Sequence, residues 1–317
     1  MDIRLLESFL AIVEERHFGR AAARLHLAQP TLSQHLQRLE RSVGAKLVER
    51  SSHAVDLTDA GRAFEPDARA VLAHLGKATR SARDAVEGHA GTLEVGFNFP
   101  AGHHLLPAAL RRLRQEHPGI RVDLEELRSG PQLTALAERR LDVGLVYGRP
   151  TVPDLRSHHL MTLRLCGVVG PTHQWAHRPA APFAELARHP CVMFERGQSP
   201  AMYDVIQQAS AQAGIELDIA ETADDPAATG VLVSAHQLIT FASESRAVLL
   251  ARSGTGLTPV RLHSPVPMLD LYAAWHADND SPFLRPFLDT LRTTHQPAGQ
   301  PLRHLPDLRH AQIPRMG

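Results

Sequence analysis

Cysteine is almost absent. Cys166 and Cys191 are the only two among 317 residues, so no disulfide scaffold is expected and a reducing cytosol is the natural setting. Long apolar runs are absent too. No stretch reaches the roughly 18 residues that a membrane-spanning helix needs, and no membrane partner is expected. The N-terminal "MDIRLLESFLAIVEE" is acidic, then amphipathic. It lacks the basic start and small-residue cleavage site of an export signal, which again points to the cytoplasm. Net charge is missing as well, with 34 Lys+Arg against 34 Asp+Glu; a protein that coats nucleic acid indiscriminately would be basic.

Catalytic signatures are equally scarce. There is no phosphate loop, dinucleotide fingerprint, Gly-x-Ser-x-Gly elbow or metalloprotease helix. Glu125 and Glu126 are strand neighbours facing opposite ways, not a paired acid and base. No enzyme activity and no cofactor are expected. The 20 histidines suggest metal, but His103-His104 and His158-His159 are adjacent pairs that cannot share a helix face. His173 and His177 lie in the Pro-bounded "PTHQWAHRP", a loop pattern. No metal is expected. The two cysteines fall in strand patterns, where buried thiols are inert.

What the chain does have is a change of pattern along its length. With 43% hydrophobic and 21% charged residues, it should fold as two or three globular domains. Residues 2–15 carry Leu5, Leu6, Phe9, Ile12 and Val13 at helical spacing. Arg20 to Leu27 make a second, short helix. Pro30 begins a third, where its missing N–H costs nothing. Leu32, Leu36, Leu39 and Val43 form its stripe, and Gly44 stops it. "KLVER" and "AVDLT" alternate like two short strands around "SSH". Three helices and a two-stranded wing make a winged helix-turn-helix over residues 1–58.

The third helix carries the chemistry. With its leucines buried, Pro30, Thr31, Gln34, Gln37, Arg38 and Arg41 point outward. Gln and Arg present the paired donors and acceptors that suit adenine and guanine edges in a major groove. Gln29 and Ser33 lie at the helix N-terminus, the end that approaches bases and phosphates. Arg16, Arg20, Arg24, Arg38, Arg41, Lys46 and Arg50 face only Glu40 and Glu49 between Arg16 and His53, a local +5 on a neutral chain. A solvated helix face would explain the third helix alone, but not the whole arrangement. The expectation is double-stranded DNA read through Gln29, Ser33, Gln34, Gln37 and Arg38. Arg41, Arg50 and His53 would lie near phosphates or the minor groove, and Arg20 completes the interface.

A long helix should follow over residues 59–90. Thr58 can cap it and Asp59 complements its positive end. Phe64, Ala68, Val71, Leu75, Ala78, Ala82 and Ala85 follow the 4-3 spacing of a coiled-coil seam, so pairing with a second copy is expected. Pro66 should kink or restart this helix, and "EGHAG" (Glu87 to Gly91) reads as a hinge. From Thr92 strands and helices alternate: strand "TLEVGF", helix 104–117, strand "IRVDLEEL", helix 131–140, strand "LDVGLVY". A mostly parallel sheet with right-handed crossovers follows. "LRLCGVVG", 191–195, 215–221 and 238–242 read as further strands, with helices near 182–188, 200–213 and 225–234 between them. "MLDLYAAW" and a helix at 282–294 close the chain. The tail 298–317 is rich in Pro and His, without periodicity, and reads as disordered.

The stretch "FGRAAARLHLAQPTLSQHLQRLERSVGAKLVERSSHAVDLTDAG" (Phe18 to Gly61) resembles the LysR-type transcriptional regulators. Its paired alanines, Gln-Pro, "LS…LE…G…L.ER" run and "LT.AG" exit carry the match. "HPGIRVDL" and "LDVGLVYG" support it, and the resemblance extends over about residues 2–295. It implies an α+β multidomain chain: an N-terminal winged helix-turn-helix, a long linker helix, and a C-terminal two-lobed α/β effector domain resembling type 2 periplasmic binding proteins. The linker would span 59–90 and the effector domain 91–297. Lobe I would take about 91–164 and 266–297, and lobe II about 165–265. The family also implies a homodimer assembling into a homotetramer on a dyad-symmetric promoter site, with RNA polymerase as a candidate partner. Two departures stand out. Ala28 sits where the family often has a capping Ser, and "SAHQLITFAS" with His236 replaces a frequent Gly-x-Gly run.

In such a domain the ligand binds between lobes, at strand ends and helix N-termini. The candidate effector residues are therefore Asn98, Pro100, Gly102, His103, Ser129, Tyr147, Arg149, Arg196, Ser199 and His236. Free N–H groups and a positive dipole end favour a small organic anion. Pro100 falls where the family often has a hydroxyl, and Ser129 matches a second such position. An anion bridging Ser129 and Ser199 from opposite lobes is the sharpest form of the expectation. A solute-binding protein is the rival, but it would need an export signal and no DNA-binding head.

Overall fold

The computed structural model describes residues 2–50, 55–87 and 90–294. The tail from 298, the turn at 51–53, and Gly88 and His89 of the expected hinge lie outside the described residues. The head contains α1 (Ile3–Glu15), α2 (Phe18–Arg24), α3 (Gln29–Val43) and the antiparallel wing strands β1 (Val48–Arg50) and β2 (Val55–Leu57). Phe9, Ile12, Leu32 and Leu39 are fully buried where α1 and α3 cross, and Ala21 lets α2 pack closely against them. Gly44 ends α3 with φ 80°, a left-handed cap that glycine reaches without a Cβ penalty.

Helix α4 (Asp59–Glu87) starts where Thr58 Oγ1 accepts from the Gly61 N–H at 2.9 Å. It runs through Pro66 as one element rather than restarting. Phe64, Ala68 and Leu72 pack on the head core on either side of the proline, and that packing sustains the helix despite the lost hydrogen bond. The first two residues of the expected seam are thus spent within the chain. Val71 (51% exposed) and Leu75 (44%) remain open to solvent.

The remainder forms two α/β lobes sharing one long strand. Lobe I orders its strands β4 (Ile120–Glu126), β3 (Gly91–Phe97), β5 (Val143–Tyr147), β12 (Met268–His276) and β6 (Leu155–Val169). β3 lies parallel to β4 and β5, while β12 runs antiparallel to β5 and to the first part of β6. Lobe II begins where residues 165–169 of β6 pair with β10 (Ile239–Ser243) and β11 (Thr258–His263). β8 (Pro190–Met193) and β9 (Asp218–Thr222) extend that sheet, and β7 (Ala180–Pro182) flanks β11. The connector expected before "LRLCGVVG" is therefore largely strand. β5, enclosed between β3 and β12, reads "VGLVY" and buries its first four residues, as a central strand must.

Helices cover both lobes. In lobe I they are α5 (Phe99–His104), α6 (Leu106–Glu116), α7 (Ser129–Ala137) and α11 (Leu284–Thr294). In lobe II they are α8 (Pro200–Gln212), α9 (Pro226–Ala235) and α10 (Glu244–Arg252), with short 3-10 turns at Phe183–Arg188 and Arg196–Gln198. Three differences from the expected pattern shape the site. The helix expected over 104–117 is α6, and an unanticipated α5 precedes it, capped by Asn98, which accepts from the Ala101 N–H. The helix expected from 131 begins at Ser129, and α10 was not anticipated.

Candidate nucleic-acid interface and ligand cleft

Helix α3 presents its polar face away from the head core. Gln29, Pro30, Gln34, Gln37, Arg38 and Arg41 are exposed, and Thr31 and Ser33 are half-buried. Ala28 precedes the helix without a side-chain capping bond, leaving the first-turn N–H groups available to a phosphate. Arg41 Nε donates back to the Gln37 carbonyl at 3.3 Å, whereas Arg20 pairs with Glu15 at the end of α1. Arg24 likewise pairs with Glu14, and Lys46 with Glu40. The local excess of base is therefore smaller than a count from Arg16 suggests, since Glu14 and Glu15 lie just before it. His53 and the Arg50 side chain lie outside the described residues.

Glu40 was only an acid in that count, yet it holds the wing to α3. Its buried carboxylate accepts from the Leu47 N–H at 3.0 Å and from Lys46 Nζ at 2.9 Å. A carboxylate on a helix face that otherwise carries leucines was the available signal.

Between the lobes lies a cavity of about 460 Å³, a size that suits a small organic molecule. Asn98, Ser129, Tyr147 and Ser199 line it, so four of the ten expected residues converge. Ser129 opens α7 in lobe I; its Oγ accepts from the Tyr147 N–H at 2.9 Å, which leaves its hydroxyl hydrogen free to donate. Ser199 precedes α8 in lobe II, and its buried Oγ has no hydrogen-bond partner among the described residues. Burial raises the Tyr147 phenol, which hydrogen-bonds to Ser243 and stays neutral.

Six expected residues do not reach the cavity. Pro100 is buried inside α5, and Gly102 packs so tightly on the Phe97 ring that a Cβ would come within 2.7 Å of it. His103 is turned outward against Phe99. Arg149 and His236 are exposed beyond their strand and helix ends, and Arg196 is held by a two-pronged ion pair with Asp204.

The positive charge comes instead from Arg128 and Arg246. Arg128, of lobe I, lies 5.0 Å over the Phe194 ring of lobe II; Arg246, on α10 of lobe II, lies 5.0 Å over the Phe99 ring of lobe I. Each guanidinium thus rests on an aromatic face across the cleft. Neither has a carboxylate at ion-pair distance among the described residues. Burial draws the Arg128 pKa below its ordinary value, a strain that an incoming anion would relieve. Glu126 and Asp225 line the cavity too, but Asp225 Oδ1 caps α9 by accepting from the Ala228 N–H at 2.7 Å. Charge count alone does not choose a ligand. The unpartnered groups do: Arg128 Nε and Asn98 Nδ2 are buried donors with no acceptor among the described residues.

Elsewhere, Cys166 and Cys191 are buried, which pushes each thiol up to about 12 and keeps it unreactive. Among the described residues no group of three or more His, Cys, Asp or Glu could hold a metal, and no helix is long and apolar enough to cross a membrane.

Known proteins share this architecture. The profile described as "Bacterial regulatory helix-turn-helix protein, lysR family" matches residues 3–62, and that of the "LysR substrate binding domain" matches residues 87–296. The chain is 31% identical to the HTH-type transcriptional regulator IlvR of Caulobacter vibrioides over 290 residues, covering 91% of this chain and 96% of that protein. It is 29% identical to the HTH-type transcriptional regulator AlsR of Bacillus subtilis over 297 residues, covering 91% and 94%. The crystal structure of CbnR, a LysR family transcriptional regulator, superposes with a TM-score of 0.68 at 25% identity, over 93% of this chain and 100% of that one. Full-length CbnR in complex with its target DNA gives 0.65 at 26% identity, over the same shares. With a helix-turn-helix head and an effector-binding domain matched over nearly its whole described length, the chain belongs to the LysR family of DNA-binding transcriptional regulators and is not an enzyme.

Proposed function

We propose that the protein reads a dyad-symmetric promoter site through the exposed face of α3, under the control of an organic anion held between its lobes. Gln29, Ser33, Gln34, Gln37 and Arg38 would meet base edges, with Arg41 near the phosphates. A cytoplasmic homodimer or homotetramer, joined through the open part of the α4 seam at Val71 and Leu75, would bring two heads to successive major-groove faces. RNA polymerase is a further partner on this reading.

One observation carries the effector assignment: donors without acceptors converge on one cavity from both lobes. Arg128 Nε and Asn98 Nδ2 come from lobe I and Ser199 Oγ from lobe II. A buried donor left unmatched costs about 1–3 kcal/mol, and a carboxylate would satisfy several at once. By drawing on both lobes it would favour one lobe angle over another, a population shift that alters how the assembly fits its DNA.

The test uses the full-length protein twice. Genomic fragments selected by binding should show a protected pair of half-sites, much weakened in Gln34→Ala. Calorimetric titration with aliphatic and aromatic mono- and dicarboxylates, each beside its neutral amide, should find at least one binder. Arg128→Met should weaken that binder about tenfold or more, the range for a hydrogen bond to a charged group. Amides binding as well as their parent acids would sink the anion, and unselective fragment recovery would sink the sequence reader.

A further inference from the structure

Three parts of the chain share a single guanidinium on the linker helix. Arg69 Nη1 donates to Glu14 at the end of α1 at 2.6 Å, and Nη2 donates to Glu65, one turn earlier on α4, at 2.9 Å. Its Nε lies 3.0 Å from Glu138, the residue that ends α7 in lobe I. Head, linker and effector domain therefore meet at one hub. Arg69 and Glu138 are 19% and 11% exposed, so solvent screens them far less than a surface pair. Glu14 also takes Arg24, and Glu138 takes Arg140. Burial raises the Glu14 carboxyl, but the bonds from Arg69 and Arg24 outweigh it and hold its pKa below the ordinary value.

Helix α7 connects this hub to the cleft. Its nine residues span about 13 Å. At the far end Ser129 lines the cavity, and Gly130 lies so close to the Gly197 carbonyl of lobe II that no Cβ fits between them. Any change in lobe angle bears on that contact. Gln132, Ala135 and Leu136 are fully buried along the helix, which makes it a rigid strut rather than a loose cover.

We propose that α7 and the Arg69 hub form the route within one chain by which cleft occupancy reaches the DNA-binding head. Lobe movement shifts α7, α7 carries Glu138, and Glu138 redistributes Arg69 between Glu14 of the head and Glu65 of the linker. The inference rests on the reading of the cleft as an effector site. Proximity alone does not establish coupling, so the test is a double-mutant cycle on the full-length protein, read as affinity for the selected DNA fragment.

Without carboxylate, Glu138→Gln and Arg69→Gln should each change that affinity about fivefold or more. The double variant should go no further than Arg69→Gln, which already removes the Glu138 contact along with those to Glu14 and Glu65. Arg112→Gln, which breaks an ion pair with Glu116 on α6, should change nothing. With the tightest-binding carboxylate of the panel, Glu138→Gln should bind it as the wild type does while its DNA affinity no longer responds. Arg69→Lys, which keeps the charge but loses the fork, should match Arg69→Gln and serves if that variant does not fold. An ineffective Glu138→Gln, additive single effects, or an intact carboxylate response in Glu138→Gln would each overturn the hub. If no carboxylate binds the wild type, the effector reading fails on its own, and the carboxylate-free cycle still decides the hub.

Discussion

Alanine at position 130 sets two ordinary expectations against each other. Gly130 is the second residue of α7, and within a helix Ala is favoured over Gly by about 1 kcal/mol. Yet a Cβ built there would stand 1.8 Å from the Gly197 carbonyl oxygen and 2.9 Å from its carbon. Both are backbone atoms and cannot rotate aside. To reach 3.0 Å, the lower edge of real Cβ contacts, α7 and the 196–198 turn must separate by about 1.2 Å, the difference between 3.0 and 1.8. Overpacking of this kind costs about 1–3 kcal/mol, so Gly130→Ala should lose about 1 kcal/mol net and hold the lobes apart at the cleft. Gly197→Ala is the matched control. It faces the same contact, but nothing among the described residues lies within 4 Å of its Cβ position. The assay is urea unfolding of the full-length protein, followed by Trp175 in lobe II and Trp275 in lobe I, together with carboxylate titration. Gly130→Ala should unfold at lower urea and bind the carboxylate about tenfold more weakly, which corresponds to about 1.4 kcal/mol. Gly197→Ala should match the wild type in both. If Gly130→Ala were as stable as the wild type and bound the ligand equally, propensity would have won and the interlobe contact would not govern the cleft.

Two further outcomes follow from buried polar groups. Glu40→Ala strands the Leu47 N–H and detaches the wing, so the head should lose about 3 kcal/mol, whereas Glu40→Gln keeps an acceptor and most of the stability; equal urea midpoints for the two would refute the contact. Burial, and then the neighbouring His189, lower the His173 imidazole from 6.5 to about 4, so between those values the unfolded chain binds the extra proton and stability falls as pH drops. The loss should reach about 2 kcal/mol by pH 5, read as Trp175 urea midpoints, and a slope that survives in His173→Asn would disprove its origin.

Much of the fold was legible because its signals are local. The stripe of α3, Pro30 at its start and Gly44 at its end each act within a turn or two of themselves, and β3, β4 and β5 declare themselves by composition. The misreadings share a different cause. Pro66 suggests a kink or a restart because its lost hydrogen bond is local, while the packing of Phe64, Ala68 and Leu72 that carries the helix through without a restart comes from the head core. Asn98 to His104 read only as a strand end that could face a ligand, because one Pro and one Gly among seven residues give no helical pattern. In place, Asn98 caps a helical turn, Pro100 lies in that first turn, and the close approach of Phe97 leaves position 102 no room for a Cβ.

The cleft shows the same division between what a residue type announces and what its surroundings decide. Ser129 and Ser199 could be named because helix starts and strand ends are visible in sequence, and the lobes bring them to one cavity. Arg149, Arg196 and His236 looked equally suitable, yet all three are exposed, and Arg196 is already committed to Asp204. Arg128 shares the visible strand-to-helix junction of Ser129 but carries no mark that its guanidinium faces the cavity, and Arg246 lies in an unforeseen helix. Their importance comes from what they lack. A guanidinium paired with a carboxylate is a finished structural contact. One resting on an aromatic ring across a cleft, without an anion, still has its donors to offer. That distinction is a property of the folded surroundings, and it is why the basic half of the cleft emerges only when both lobes are in place.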